Sequence, residues 1–147
     1  MSEALPVRTI ISPSRYVQGR GAIARIGEFV APIGSSPLLV SDDVVWGFLG
    51  HDVEASLTAA GLPIEREKFG GMPTAKEVDR LVEVIKARAS DVVVGLGGGS
   101  TIDAVKAAGH RAGIRWVSVP SVASTDAPTS ALAVIYTETG EFEEYRF

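Results

Sequence analysis

Three consecutive glycines followed by hydroxyl residues are the part of this sequence best suited to bind a phosphate. Gly97–Gly99, Ser100 and Thr101 lie just after an apolar run and open a helical pattern that ends near Ala112. Glycine has no Cβ, so its backbone can approach a ligand closely, and the free N–H groups and positive dipole end of a helix favour an anion. A tight strand-to-helix turn without a ligand explains the same glycines equally well, because short glycine motifs often match by chance.

The glycine run meets the dinucleotide-binding fingerprint only in part. Gly95, Gly97 and Ser100 follow the G-x-G-x-x-G spacing except for its last glycine, and no acidic residue lies about 20 positions downstream to bind a ribose. An upstream carboxylate, Asp42, follows an earlier apolar run, where it could bind both ribose hydroxyls and repel a 2′-phosphate. Spacing alone favours the simpler interpretation of Asp42 as a helix N-cap or turn residue. The residues by themselves therefore predict a phosphate-binding α/β domain and nothing narrower.

The elements that must position these residues are short apolar strands that alternate with helical segments. β-Branched runs bounded by turn residues are typical of strands buried on both faces, and there are three: Leu38–Val40, Val92–Val94 and Trp116–Val119. Between them, residues 74–89 carry an apolar stripe at helical spacing, and Thr74 and Glu77 have the spacing of a capping box. This alternation predicts an α/β fold of the Rossmann-like type: an open, mostly parallel sheet with flanking helices and ligands at the carboxyl ends of its strands.

Weaker signals predict three further elements. Isoleucine and valine spacing over residues 23–30 predicts a short helix, and Gly61 predicts that another helix ends near Ala60. Loose alternation over residues 132–147 predicts a C-terminal β-hairpin.

Composition narrows the classes of function. The length of 147 residues fits one domain, and 46% apolar with 22% charged residues is ordinary for a globular protein. A net charge of −4 gives no reason to expect nucleic acid or an anionic membrane as partner. The absence of cysteine excludes disulfides, thiolate zinc sites and cysteine nucleophiles. No signal peptide or spanning run is recognisable, so we expect a cytoplasmic protein.

Two segments are long enough to compare with known families. They are Gly97–Lys106, GGGSTIDAVK, and Pro120–Tyr136, PSVASTDAPTSALAVIY. Both resemble the glycerol dehydrogenase branch of the iron- or metal-containing alcohol dehydrogenases, and the STDAP stretch is close to diagnostic for it. Supporting matches extend the resemblance over essentially the whole chain: residues 12–19, 69–71 and 140–142. Ser100 departs from the branch, many of whose members have lysine there. The resemblance implies that residues 1–147 are a dinucleotide-binding N-terminal domain.

The site that the resemblance implies is one for NAD. Asp42 would contact the adenosine ribose, and the pyrophosphate would be cradled by Gly97, Gly98, Gly99, Ser100 and Asp103. The slot for the nicotinamide half would be lined by Ser121, Ser124, Ser130, Leu132 and Tyr136. Asp126 would bind a hydroxyl of the substrate. Without the resemblance, Asp126 is more simply a turn residue and the hairpin side chains are more simply packing.

For the whole enzyme, the resemblance implies oxidation of glycerol, or a similar small polyol, to dihydroxyacetone. NAD would accept the hydride, and a divalent metal, zinc or iron, would stabilise the alkoxide. The family's metal ligands, an aspartate and two histidines, lie in a helical second domain that is expected after Phe147. Neither His51 nor His110 has the spacing of a metal ligand, so no metal site is assigned within this chain. We expect the chain alone to be inactive and the whole protein to be a homo-oligomer.

Three alternatives stay open, the last of which is a purely structural or interaction domain. The first is another polyol dehydrogenase, or a glycerol-1-phosphate dehydrogenase, of the same superfamily. A phosphorylated substrate needs basic residues, and residues 120–147 contain only Arg146, which disfavours it. The second alternative is a non-catalytic nucleotide-binding module that uses only the glycine turn.

Overall fold

A computed structural model describes the backbone of residues 12–146 and the side chains of residues 12–143. In chain order its elements are a 3₁₀ turn (Ala22–Arg25), α1 (Ile26–Val30), β1 (Pro37–Ser41), α2 (Asp43–Ala59), β2 (Glu65–Lys68), α3 (Ala75–Ala87), β3 (Val92–Gly97), α4 (Gly99–Ala112), β4 (Arg115–Pro120), β5 (Ala133–Tyr136) and β6 (Phe142–Arg146). Within this part of the chain, no helix combines the length and apolar character that crossing a membrane requires.

Four parallel strands form the central sheet in the order β2-β1-β3-β4. The chain moves from β1 outward to β2 and then crosses back to β3 on the other side of β1. The topological switch point therefore lies between β1 and β3, and open α/β sheets bind ligands at the carboxyl ends of the strands at such a point. The predicted Rossmann-like sheet is confirmed, and so are the three predicted apolar strands. The expected burial on both faces holds for β1 and β3 but is wrong for β4, which lies at the end of the sheet and is nowhere fully buried.

Side chains that alternate along the central strands fill two separate cores. Leu38 and Val93 pack with α3 and α4 on one face of the sheet. Leu39, Val92 and Val94 pack with α1 and α2 on the other face. Successive side chains of a strand point to opposite faces, so a strand covered by helices on both sides must be apolar at every position. Burying each such side chain contributes roughly 1.5–3 kcal/mol, which makes β1 and β3 the rigid centre of the domain.

Only one of the two hydrogen bonds of the capping box predicted for α3 is present. Thr74 Oγ1 accepts a hydrogen bond of 3.2 Å from the backbone N–H of Glu77. The Glu77 carboxylate does not return to Thr74, because it accepts a 2.8 Å hydrogen bond from the N–H of Gly70 instead. The loop after β2 is therefore tied to the start of α3. The predicted end of α2 is confirmed, with Gly61 in the left-handed conformation at φ 72°.

Hydropathy did not predict β2, whose sequence is EREK. The strand pairs in parallel with β1, and its side chains form ion pairs with both neighbouring helices. Arg66 lies 2.6 Å from Asp43 on α2, while Glu67 pairs with Arg80 on α3 and with Arg88 just beyond it. Backbone pairing and these ion pairs, rather than an apolar pattern, hold β2 in the sheet.

The predicted C-terminal hairpin is confirmed over β5 and β6, which pair antiparallel with an irregularity after Ile135. Ala133 and Ile135 are buried in the same core as α3 and α4. The backbone N–H of Tyr136 donates to the carbonyl of Pro73 at 3.1 Å, so the hairpin also contacts the loop after β2. The last residue of the predicted span, Phe147, lies outside the described residues.

Candidate functional site

Strand register brings the predicted site residues to one edge of the sheet. Ser41 at the end of β1 is paired with Leu96, and Gly97 at the end of β3 is paired with Pro120. The backbone N–H of Ser121 donates to the carbonyl of Gly97 at 2.9 Å. The turns that follow β1, β3 and β4 therefore lie side by side at the switch point.

The three glycines of the turn differ in what a side chain would meet. A Cβ on Gly97 would lie 2.4 Å from Thr101 Oγ1 and 2.6 Å from Thr101 Cβ, so internal packing excludes it. A Cβ on Gly99 would lie 2.9 Å from Thr125 Oγ1, so that hydroxyl would have to shift. A Cβ on Gly98 would meet nothing closer than 3.9 Å, and Gly98 has φ −76°, which any residue can adopt. Neither backbone conformation nor packing within the described residues requires glycine there. Close approach of a ligand to the backbone does require it, so the cradle fits a diphosphate.

Helix α4 begins at this turn with its backbone donors unoccupied. Gly98 is the N-cap and supplies no side-chain hydrogen bond, and the first turn contains no acidic residue. Within residues 12–143, the N–H groups of Gly99, Ser100 and Thr101 have no hydrogen-bond partner. Free N–H groups of this kind and the positive dipole end are what bind phosphates at helix starts. The Ser100 side chain is exposed beside them and adds a hydroxyl.

Asp42 is the N-cap of α2, as spacing alone favoured. Its Oδ1 accepts a hydrogen bond of 2.8 Å from the backbone N–H of Val45. The second carboxylate oxygen has no hydrogen-bond partner in the described part of the chain, and the side chain is half-buried. One carboxylate can therefore cap the helix and still accept from a ribose hydroxyl, so the two interpretations of Asp42 are compatible.

Asp103 is buried one turn into α4 and contacts the protein itself. Its Oδ1 lies 3.0 Å from Lys106 Nζ, although the angles there are not those of a hydrogen bond. Burial raises the pKa of Asp103 above its usual range, and the ammonium of Lys106 and the backbone N–H of Val134 only partly oppose this. Its contact with a diphosphate stays a prediction.

The loop between β4 and β5 carries the residues predicted for the nicotinamide half. Ser121 and Ser124 are exposed, while Ser130 and Leu132 are half-buried and joined by a 3.1 Å hydrogen bond from Leu132 N–H to Ser130 Oγ. Tyr136 lies at the far end of β5, and no hydrogen bond of the described residues joins it to the glycine turn. Four of the five residues therefore lie on one loop, and Tyr136 lies on the strand that follows it.

Asp126 presents its carboxylate to solvent. Its backbone carbonyl accepts hydrogen bonds of 3.0 Å from the N–H groups of Thr129 and Ser130, which form a turn. The carboxylate itself makes no hydrogen bond within residues 12–143. Asp126 is thus a turn residue, but its backbone carbonyl forms the turn. Its carboxylate is therefore available to a ligand.

Sequence reasoning missed Lys106. This side chain is 3% exposed, and its ammonium donates to the carbonyls of Ala127 (2.9 Å), Ser130 (3.1 Å) and Leu132. A charged residue on the buried side of α4, three positions after a buried aspartate, was the available signal, because buried charges are paired or hydrogen-bonded.

Two surface hollows of the described residues include none of the three turns that follow β1, β3 and β4, although one of them is lined by Ala131 of the loop between β4 and β5. One, of about 340 Å³, is lined by Lys106, His110, Trp116 and their neighbours, and the other, of about 400 Å³, lies between α1 and α2. The candidate site is instead an open edge formed by three adjacent turns.

No metal centre is present among residues 12–143, where no group of three or more potential ligands was found. His51 and His110 are exposed on different helices, α2 and α4. The described residues therefore do not fit the divalent metal that the resemblance implies.

A family model described as iron-containing alcohol dehydrogenase matches residues 13–146. Glycerol dehydrogenase of Escherichia coli O6:H1 is 44% identical over 138 residues, which are 94% of this chain and 38% of the relative. Glycolaldehyde reductase of Halobacterium salinarum is 43% identical over 134 residues, which are 91% and 37%. The crystal structure of a probable glycerol dehydrogenase from Sinorhizobium meliloti 1021 matches with a TM-score of 0.85 and 37% identity, over 95% of this chain and 38% of that one.

The chain thus spans about 38% of the length of the relatives it matches. A family model that covers nearly all of the described residues agrees with the sheet order and the glycine turn. This chain belongs to the iron-containing alcohol dehydrogenase family.

Proposed function

We propose that this chain is the dinucleotide-binding part of an NAD-dependent dehydrogenase that oxidises glycerol or a similar small polyol. The observation that carries the proposal is Gly98, where neither φ nor internal packing requires a glycine. A diphosphate held by the uncapped start of α4 accounts for it. The relatives named glycerol dehydrogenase support the choice of substrate.

The chain's own groups have distinct tasks in this proposal. The N–H groups after Gly98 and the Ser100 hydroxyl bind the diphosphate, with Asp103 behind them in the same helix. Asp42 uses its second carboxylate oxygen to accept from the adenosine ribose, and its charge disfavours a 2′-phosphate. The nicotinamide half lies along the loop between β4 and β5, in contact with Ser121, Ser124, Ser130, Leu132 and Tyr136.

Asp126 is the substrate-binding residue in this proposal. An ionised carboxylate accepts hydrogen bonds from two hydroxyls at once, so it distinguishes a vicinal diol from a simple alcohol. Bound NAD supplies the acceptor for the hydride of the alcohol carbon. The divalent metal, zinc or iron, has no ligand set among the described residues, and no step is assigned to it. We expect the chain alone to bind NAD without turnover. That the intact protein is a cytoplasmic homo-oligomer stays a prediction.

The direct test is a titration of the intact protein with NADH, followed by its fluorescence, with ADP-ribose as competitor. Both ligands are expected to bind to one site, and glycerol is expected to reduce NAD in the presence of zinc or iron. Failure of both ligands to bind would overturn the proposal. Binding without reduction by any polyol would favour a non-catalytic nucleotide-binding module.

A second candidate differs only in the substrate. The similarity to a glycolaldehyde reductase, at 43% identity, favours testing small hydroxyaldehydes beside glycerol. A glycerol-1-phosphate dehydrogenase is disfavoured, because no basic side chain lies between Pro120 and Glu143. Initial rates with glycerol, propane-1,2-diol, glycolaldehyde and glycerol-1-phosphate distinguish these substrates.

A further inference from the structure

The Lys106 ammonium lies in the interior of the domain, and all of its hydrogen bonds go to one segment of the chain. Its three donors reach the carbonyls of Ala127, Ser130 and Leu132, and the side chain is 3% exposed. A buried ammonium without partners is strongly unfavourable, so these carbonyls must be near it whenever the lysine is buried. The adjacent Asp103 carboxylate, 3.0 Å away, balances the charge.

The segment that Lys106 holds has little structure of its own. Residues 127–132 form no helix or strand. Their local hydrogen bonds close only short turns, from Thr129 and Ser130 to Asp126 and from Leu132 to Ser130. Three hydrogen bonds from a single charged group therefore tie this loop to the helix beneath it, beside the packing of the buried Ala127 side chain.

Helix α4 connects that link to the diphosphate site. Gly99 begins the helix and Lys106 lies seven residues, or about 10 Å, further along it. The helix whose start is the proposed diphosphate site thus also fixes the position of residues 127–132, which directly follow Asp126 and include Ser130 and Leu132. A helix is a rigid spacer, so Lys106 sets the separation between the glycine turn and residues 127–132.

We infer that Lys106 is a positioning residue for the nicotinamide half of the site and that the adenosine-diphosphate half does not depend on it. The inference rests on the proposed function. Lys106 itself has no contact with the ligand, because its three N–H donors bind carbonyls of the chain. Its effect is exerted through the carbonyls of residues 127–132.

The test compares two ligands that differ in the nicotinamide. ADP-ribose has the adenosine and the diphosphate but no nicotinamide, whereas NADH has all three. Lys106→Met in the intact protein keeps the length of the side chain and removes its donors and charge. The dissociation constant for NADH is expected to rise about tenfold or more, while that for ADP-ribose changes by less than about twofold, since charged hydrogen bonds to the loop are lost.

The matched control is Lys86→Met, which removes an exposed lysine that pairs with Glu83 on the outer side of α3. It should change neither constant. Lys106→Gln, which keeps two donors, is the second variant if Lys106→Met does not fold, and it must show the same preferential loss of NADH. Equal weakening of both ligands, or no change in NADH binding by a folded variant, would overturn the inference. Wild-type protein that binds neither ligand would instead overturn the proposed function.

Discussion

The carbonyl of Gly97 accepts a 2.9 Å hydrogen bond from the backbone N–H of Ser121. This bond joins the turn after β3 to the loop after β4, so the parts proposed for the diphosphate and for the nicotinamide are adjacent in the structure. Substitutions at this edge should therefore alter binding more than stability.

Gly98→Ala is expected to weaken NADH binding about tenfold or more while leaving the melting temperature nearly unchanged. The added methyl would meet nothing within 3.9 Å in the protein but would occupy the space of the diphosphate. Isothermal titration and thermal unfolding measure the two effects. Gly47→Ala on α2, also with open space around it, is the control and should slightly stabilise the helix without altering affinity. Unchanged affinity in Gly98→Ala would contradict the assignment of the cradle.

Asp42→Asn separates the two roles of this residue. Asparagine caps helices about as well as aspartate, so the free energy of unfolding should stay within about 0.5 kcal/mol of the wild type. NADH affinity should fall several-fold. The ratio of the dissociation constant for NADPH to that for NADH should decrease, because the negative charge that repels a 2′-phosphate is lost. Asp42→Ala should lose both functions, with about 1 kcal/mol of destabilisation. Full NADH affinity in Asp42→Asn would exclude a ribose contact that depends on charge.

Asp126→Asn should raise the KM for glycerol about tenfold and leave the dissociation constant of NADH unchanged. The carboxylate makes no hydrogen bond in the described structure, so its loss should not disturb the turn formed by its backbone carbonyl. The ratio of kcat/KM for glycerol to that for 1-propanol should fall, since only the diol needs two acceptors. Glu138→Gln, an exposed carboxylate in the hairpin turn, is the control. A ratio that does not change would remove Asp126 from the substrate site.

Asp91 should make part of the stability depend on pH. Its carboxylate accepts hydrogen bonds from the N–H groups of Ser35 and Ser36 and from the Ser35 hydroxyl. Burial acts to raise the pKa of Asp91, but the N–H groups of Ser35 and Ser36, together with that hydroxyl, outweigh it and lower the pKa. A lowered pKa means that stabilisation is present above the pKa of the unfolded chain and is lost as the pH falls through the folded value.

Asp91→Ala should therefore cost about 1 kcal/mol of the free energy of unfolding at neutral pH. The difference from the wild type should shrink as the pH falls below the pKa of aspartate in the unfolded chain and through the lowered pKa of folded Asp91, where its carboxylate becomes protonated. Urea unfolding across this range measures both. Asp52→Ala, an exposed residue of α2 without a hydrogen bond in the described structure, should show no such trend. A constant difference between Asp91→Ala and the wild type at all pH values would contradict the role of the charge.

The central strands could be predicted from the sequence because burial on both faces leaves an unbroken apolar run. In β1 and β3 every residue is buried, which is why Leu38–Val40 and Val92–Val94 stand out. The end strand β2 has no such run, since its stability comes from backbone pairing and from ion pairs with residues 13 or more positions away. A hydropathy pattern describes only neighbouring residues, so it cannot predict a strand that is stabilised by such distant ion pairs.

The candidate site was predictable only where a local motif determines it. The uncapped glycine turn follows from its spacing, but the double use of Asp42 depends on which oxygen the helix occupies. Lys106 depends on carbonyls 21 to 26 residues later, which no local pattern specifies. The residue-by-residue roles came from the resemblance and not from the physics of the chain, and they remain to be tested.

The charged sequence of β2 also affects how the protein behaves towards copies of itself. Among the described strands, β2 pairs only with β1 and so presents its other backbone edge outward. An apolar strand in that place would be a template for sheet extension by a second molecule. Lysine, arginine and glutamate that are already paired with α2 and α3 must be desolvated or displaced before another strand can add there. The charged residues that leave β2 without an apolar pattern therefore also disfavour the addition of another strand at this edge of the sheet.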